Sequence, residues 1–130
     1  MAFGTLAFDT LSVSGAITGT AKSVNADYLA TGISKAFVRF DGTGTLAINK
    51  SLNHSSVTDN ATGNYTPVYT SNFSDANSCV TMSKKNESSN ASFGINNASV
   101  ATNNHNMQLY ENDSATDTAI VSSKPVGDLA

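Results

Sequence analysis

Apolar and polar residues alternate in short runs, and turn-forming residues punctuate them. Ala36, Val38 and Phe40 share one face of an extended segment while Phe37 and Arg39 take the other. Asp41-Gly42-Thr43-Gly44 then turns the chain into Thr45 to Asn49, where Leu46 and Ile48 alternate with Ala47 and Asn49. A third run carries Leu52, His54 and Val57, and Asp59 to Gly63 turns it into a fourth with Tyr65, Pro67 and Tyr69 on one face. Pro67 has no N–H for a ladder, which predicts an edge strand or a bulge at that point. Further strands are expected over Ser78 to Ser83, Ser92 to Ile95, Ser99 to Thr102, Met107 to Tyr110 and Thr118 to Ser122, with an irregular or edge segment from Lys124 to Ala130. Antiparallel strands at this spacing make a β-sandwich or a jelly-roll-like head, all-β, over residues 35–130.

Residues 1–34 follow a different pattern. Phe3, Leu6, Phe8, Leu11, Val13 and Ile17 are scattered among Gly, Ser and Thr, and fit neither a period of two nor a helical face. They predict an extended N-terminal arm that buries its apolar residues against the following domain, a neighbouring copy or a larger scaffold. Ala21 to Ala30 is the one place where a helical turn or two could form.

Composition reinforces the β reading. The chain holds 15 Asn, 18 Ser and 15 Thr; Asn and Ser favour turns over helix and Thr favours strands. At 130 residues it can enclose one modest core, and a thin core of this kind is readily completed by further copies. A net charge of -3 and 13% charged residues give no basic footprint for nucleic acid. Apolar runs do not exceed three residues, so membrane insertion is not expected, and the first residues lack the basic and apolar regions of a secretory leader. The Asn-x-Ser/Thr triplets at Asn60, Asn72, Asn86, Asn97 and Asn112 follow from composition.

Candidate chemistry is sparse. His54 and His105 are not spaced as metal ligands and read as turn or surface residues. Cys79, the single cysteine, reads as a buried strand residue. No nucleophile-elbow motif is present, Glu87 and Glu111 are the only glutamates, and most aspartates sit in turn contexts, so no catalytic set is assigned. Gly42-Thr43-Gly44 lacks the third glycine of a nucleotide fingerprint, and neither Asp59-Asn60 nor Asp113 with Asp117 has the oxygen spacing of a calcium loop; no cofactor or metal is expected. Tyr65, Tyr69 and Tyr110, with the Asn-rich loop at Asn104, are residue types that stack on sugars and bond their hydroxyls, although half-buried packing accounts for the same tyrosines.

Lys35-Ala36-Phe37-Val38-Arg39-Phe40-Asp41-Gly42-Thr43-Gly44-Thr45-Leu46-Ala47-Ile48, followed by Ser55 to Thr66 with its glycine turn and Tyr65-Thr66, resembles a module of tail-fibre and other virion surface proteins of tailed, marine-type bacteriophages. Phe37 stands where that module usually has Trp, and Ala61 interrupts the second glycine turn. Phe73 to Asn77 resembles the module's next segment, and Val126-Gly127-Asp128-Leu129-Ala130 its usual Phe-Gly-Asp-Leu-Ala ending. The resemblance implies a non-enzymatic structural protein, made in a host bacterial cytoplasm and displayed on the virion surface as a fibre or head-decoration protein. It further implies a homotrimer, contacts with capsid or tail proteins through the arm residues Phe3, Leu6, Phe8, Leu11, Val13 and Ile17, and, as the alternative, recognition of a host receptor or cell-surface glycan.

Overall fold

The computed structural model describes residues 16–18, 23–25, 33–85 and 93–130. Among these residues every regular element is a β-strand, and all pairings run antiparallel. The first two strands, β1 (Ala16–Thr18) and β2 (Ser23–Asn25), form a two-stranded ribbon with Ile17 opposite Val24. Of the stretch Ala21 to Ala30, where a helical turn was expected, Ser23, Val24 and Asn25 form strand, all three being weak helix formers, and the rest lies outside the described residues. Phe3, Leu6, Phe8, Leu11 and Val13 of the expected arm lie outside the described residues.

The remaining strands divide between two sheets. β3 (Phe37–Asp41) and β4 (Ala47–Leu52) form a hairpin, and β5 (His54–Ala61) and β6 (Asn64–Tyr69) form a second. β7 (Cys79–Lys84) returns to the first sheet, and β8 (Phe93–Val100), β9 (His105–Glu111) and the short β10 (Ser114–Ala115) belong to the second. The last strand, β11 (Val121–Val126), lies between β3 and β7. The first sheet thus has the order β4-β3-β11-β7. In the second, β9 pairs with β8 along its length, while β6 pairs with β9 at Gln108 and Met107 and β10 pairs at Glu111 and Tyr110. β6 and β10 therefore share one side of β9 end to end.

A single residue carries the chain from one sheet to the other between β4 and β5. Asn53 has φ 54°, a left-handed conformation that Asn tolerates better than most residues. It is clamped from the far side: the Ser71 N–H donates to Asn53 Oδ1 at 2.7 Å, and Asn53 Nδ2 donates to the Ser71 carbonyl at 3.0 Å.

The core draws on both sheets. Val38, Phe40 and Val121 from the first meet Tyr65, Met107 and Leu109 from the second, and none is more than 1% exposed. Phe40 and Tyr65 meet edge to face at 5.0 Å, the arrangement their ring quadrupoles favour. Beside this lies a smaller cluster of Ala36, Tyr69 and Phe73, closed by Leu129. The alternation expected for β3 and β6 holds residue by residue, because both are interior strands with one face on the core.

Several expectations are corrected. Pro67 lies on an interior strand; the β6–β9 pairing at Asn64 and Tyr65 resumes only at the Val68–Asn104 bridge, so the proline occupies the gap. Lys124 to Val126 belong to a central strand, where Pro125 is tolerated because pairing of β11 with β3 ends at Ser123. Val121, Ser123 and Pro125 all face inward, and the proline masked that alternation in the sequence. The two strands expected over 92–102 are one, β8, with a bulge between Asn97 and Ser99. β4 is exposed throughout as an edge, leaving Ile48 39% accessible despite its alternation with Ala47 and Asn49. Cys79 is on a strand but exposed, since it starts the outward set of Cys79, Thr81 and Ser83 on β7.

Lys84 of β7 and Glu111 of β9 form an ion pair across the sheets at 3.3 Å, with side-chain exposures of 0% and 9%. Removing one partner strands a buried charge. Glu111→Ala should therefore destabilise the fold by about 3 kcal/mol in urea titrations, whereas Lys84→Met with Glu111→Leu should recover most of that loss. The Cys79 thiol should also react with a maleimide in the native state, without denaturant, as followed by mass spectrometry.

Candidate functional site

The described residues hold two buried polar networks, one at each end of the core. The first is built by strand alternation. Tyr69 ends β6 on its inward face, His105 opens β9, Ser123 lies mid-way along β11, and His54 follows the Asn53 corner. The Tyr69 hydroxyl lies 2.8 Å from His105 Nδ1, and His105 Nε2 lies 3.0 Å from Ser123 Oγ, so the second sheet is tied to the first through one imidazole. The rings of Tyr69 and His105 stack with centroids 5.6 Å apart, and His54 stands 6.1 Å from His105. His54 Nδ1 lies 3.0 Å from both the Phe37 and the Leu52 carbonyls. Two acceptors at one nitrogen require the proton there, leaving Nε2 as a buried lone pair with no protein partner.

Burial governs the protonation of this cluster. His105 is held down to about 4, first by desolvation and then by the neighbouring His54. His54 is also lowered by burial, with its two carbonyl contacts working the other way. The Tyr69 phenol is pushed up to about 12 by burial. All three side chains are accordingly neutral near pH 7.

The second network centres on Tyr65. Its hydroxyl lies 2.6 Å from Asp117 Oδ1 and 2.9 Å from the Gly42 carbonyl, so one proton faces two acceptors. Asp117 Oδ1 also accepts the Gly63 N–H at 2.7 Å, and the Gly42 N–H donates to the Thr118 carbonyl at 3.0 Å. Burial and then Asp117 push the Tyr65 phenol well above its ordinary range. Both glycines are sterically required: a Cβ at Gly42 would run into the Tyr65 hydroxyl, and one at Gly63, where φ is +67°, would approach the Leu109 carbonyl oxygen to 2.7 Å.

These placements revise the sequence-based candidates. Tyr65 and Tyr69 are 0% and 4% exposed with their hydroxyls engaged inside, so neither ring presents a face to a sugar. Tyr110 is half-buried on β9, and Asn104 is half-buried at the Val68 bridge, where its Nδ2 donates to Asn103 Oδ1. The four do not form one surface. His54 and His105 are buried core residues, not turn residues, because His105 continues the inward set of Met107 and Leu109. Ser123–His105–Tyr69 has the connectivity of a nucleophile, base and orienting group, yet Ser123 is 2% exposed and His105 0%, which denies substrate access and suits a structural link. Among the described residues no three His, Cys, Asp or Glu side chains are grouped to hold a metal ion. Sequence reasoning missed Asp117 as the partner of Tyr65; a pairing 52 residues apart leaves no local pattern.

Comparison with protein families, curated proteins and solved structures finds no match to the chain.

The histidines make stability depend on pH. A histidine whose folded pKa lies below its ordinary 6.5 binds its proton more readily in the unfolded chain. Its contribution is complete above about pH 6.5 and is lost as the pH falls toward 4. His105 alone should remove about 2 kcal/mol between pH 7.5 and pH 5.0. Urea midpoints at the two pH values, with the slope unchanged, measure this.

Proposed function

We propose that the two sheets form a β-sandwich head and that the chain is a structural surface protein of a tailed-bacteriophage virion, assembled as a homo-oligomer. One observation carries this reading. The separated stretches that resemble the virion module are packing partners of one another. Gly42, from the first glycine turn, lies under Tyr65 of the second motif, whose own Gly63 is bonded to the same Asp117. Phe73, opening the third stretch, pairs with Leu129 of the terminal one, and the Ser74 N–H donates to the Asp128 carbonyl at 2.9 Å. A resemblance made of mutually dependent contacts argues for a shared architecture more strongly than turn composition alone.

The surface agrees with display. The buried tyrosines, histidines and Asp117 are directed at each other, leaving hydroxyls and amides outside. The exposed edge β4, with Ile48 and Leu52 accessible, supports contacts between copies, since an uncovered edge strand is an association surface. Anchoring is assigned to residues 1–34 and display to residues 35–130.

Deletion of residues 1–32 tests the assignment. The truncated protein should stay folded by circular dichroism yet fail to enter particles when supplied to phage lacking the intact gene, as read by mass spectrometry of purified virions. Incorporation at normal copy number would refute anchoring by the arm, and absence of the intact protein from virions would refute the function.

A further inference from the structure

The outer face of the β4-β3-β11-β7 sheet carries a groove of about 410 Å³. Every residue lining it belongs to that sheet, so it lies outside the core and spans all four strands. Register places Lys50, Arg39, Ser122 and Ser83 in one row across the strands, with Lys124 and Thr81 in the next. Phe37, half-buried, lies beside Lys124 in that second row. Three cations therefore converge on one concave surface of a protein whose net charge is -3.

Among the described residues these cations have no counterion. Arg39, Lys50 and Lys124 are exposed, and none is ion-paired with a described carboxylate; the Lys84–Glu111 pair lies at the inner side. The nearest acid on this face by register, Asp41 at the end of β3, accepts the Thr43 N–H at 2.8 Å and the Thr43 hydroxyl at 2.6 Å. Lys85 flanks the same end of β7. An unneutralised cluster over a partly apolar floor favours an anionic occupant, and the guanidinium of Arg39 can present two parallel donors to a carboxylate or sulfate.

The form of the groove narrows the class further. β3 and β11 are interior strands whose backbone groups serve the sheet, so the groove offers no free ladder for an extended peptide. Three cations are too few for the phosphate spacing of a nucleic acid. Hydroxyls of Thr81, Ser83 and Ser122 beside an aromatic ring suit a sugar, whose C–H face packs on Phe37 while its own hydroxyls bond the rim. We infer that the outer face of the β4-β3-β11-β7 sheet, around Arg39, Lys50, Lys124 and Phe37, binds an acidic polysaccharide through its carboxylate or sulfate groups. This site is separate from the buried tyrosines, and the inference does not rest on the virion assignment.

The test is calorimetric titration of the full chain with heparin (sulfated), polygalacturonate (carboxylated), neutral dextran and poly-glutamate. The expected result is binding to heparin or polygalacturonate that weakens severalfold as salt rises to about 0.15 M, where charges separated by more than about 8 Å are screened. The double variant Arg39→Gln/Lys124→Gln should lose that binding with an unchanged melting temperature, while Ser56→Asp/Thr58→Asp, which shifts the net charge equally on the exposed β5 of the other sheet, should keep it. Phe37→Leu should weaken binding without altering its salt dependence. Equal affinity for dextran, equal affinity for poly-glutamate, or equal loss in both double variants would overturn the proposal. So would a change in sedimentation on Arg39→Gln/Lys124→Gln, which would make the face an interface between copies. Virion incorporation is read separately, so failure of either proposal leaves the other standing.

Discussion

The bond between Tyr65 and Asp117 is the constraint on which the two-sheet arrangement rests. Asp117 lies in the link from β10 to β11, Tyr65 on β6, Gly42 at the β3–β4 turn and Gly63 at the β5–β6 turn, so one carboxylate oxygen and one phenol fix three connections at once. Side chains could not do this around bulkier turns. The two glycines let the backbone come within hydrogen-bonding distance of the ring hydroxyl and the carboxylate, and Phe40 then packs its edge against the same ring. Buried polar networks of this kind specify one arrangement of the sheets because partial satisfaction leaves an acceptor without a donor.

At the other end of the core the same problem is solved with imidazoles. His105 joins Tyr69 of the second sheet to Ser123 of the first, and His54 caps the carbonyls at the β4–β5 corner. The histidine end is sensitive to acid, because it depends on keeping two rings neutral. Protonation of these rings loosens the fold first around Tyr69, which packs beside them, and Phe73 of the same cluster.

The parts of the fold legible in the sequence were those with local periodicity. β3 and β6 alternate cleanly because each has one face on the core, and their glycine turns marked the hairpins. Legibility failed where tertiary pairing overrode a local signal. Lys124 to Ala130 read as an irregular or edge segment, yet Pro125 sits within β11 where that strand has no bond to make to β3. Asn103 to Asn106 looked like one long turn, although His105 and Asn106 already belong to β9. Tyr65 and Tyr69 were recognised as functional types, and their hydroxyls are engaged, but inside the core and with partners from distant strands. The cationic groove was invisible for the same reason: Arg39, Lys50 and Lys124 meet only because the final strand inserts beside the first of that sheet.

That insertion sets an order of events. β11 takes its place between β3 and β7, pairing Val121 with Phe40, so the first sheet is open along its middle until β11 has left the ribosome. The hairpins β3–β4, β5–β6 and β8–β9 can each form during synthesis, being local. Asp117, which locks them together, emerges just ahead of β11. The nascent chain is then a set of preformed hairpins with an unfilled slot, and the slot's own apolar residues, Val38 and Phe40, are open to any other strand of matching register. A matching strand from a second nascent chain is one such competitor, and fast closure by β11 is what separates a correctly folded chain from a strand-exchanged one.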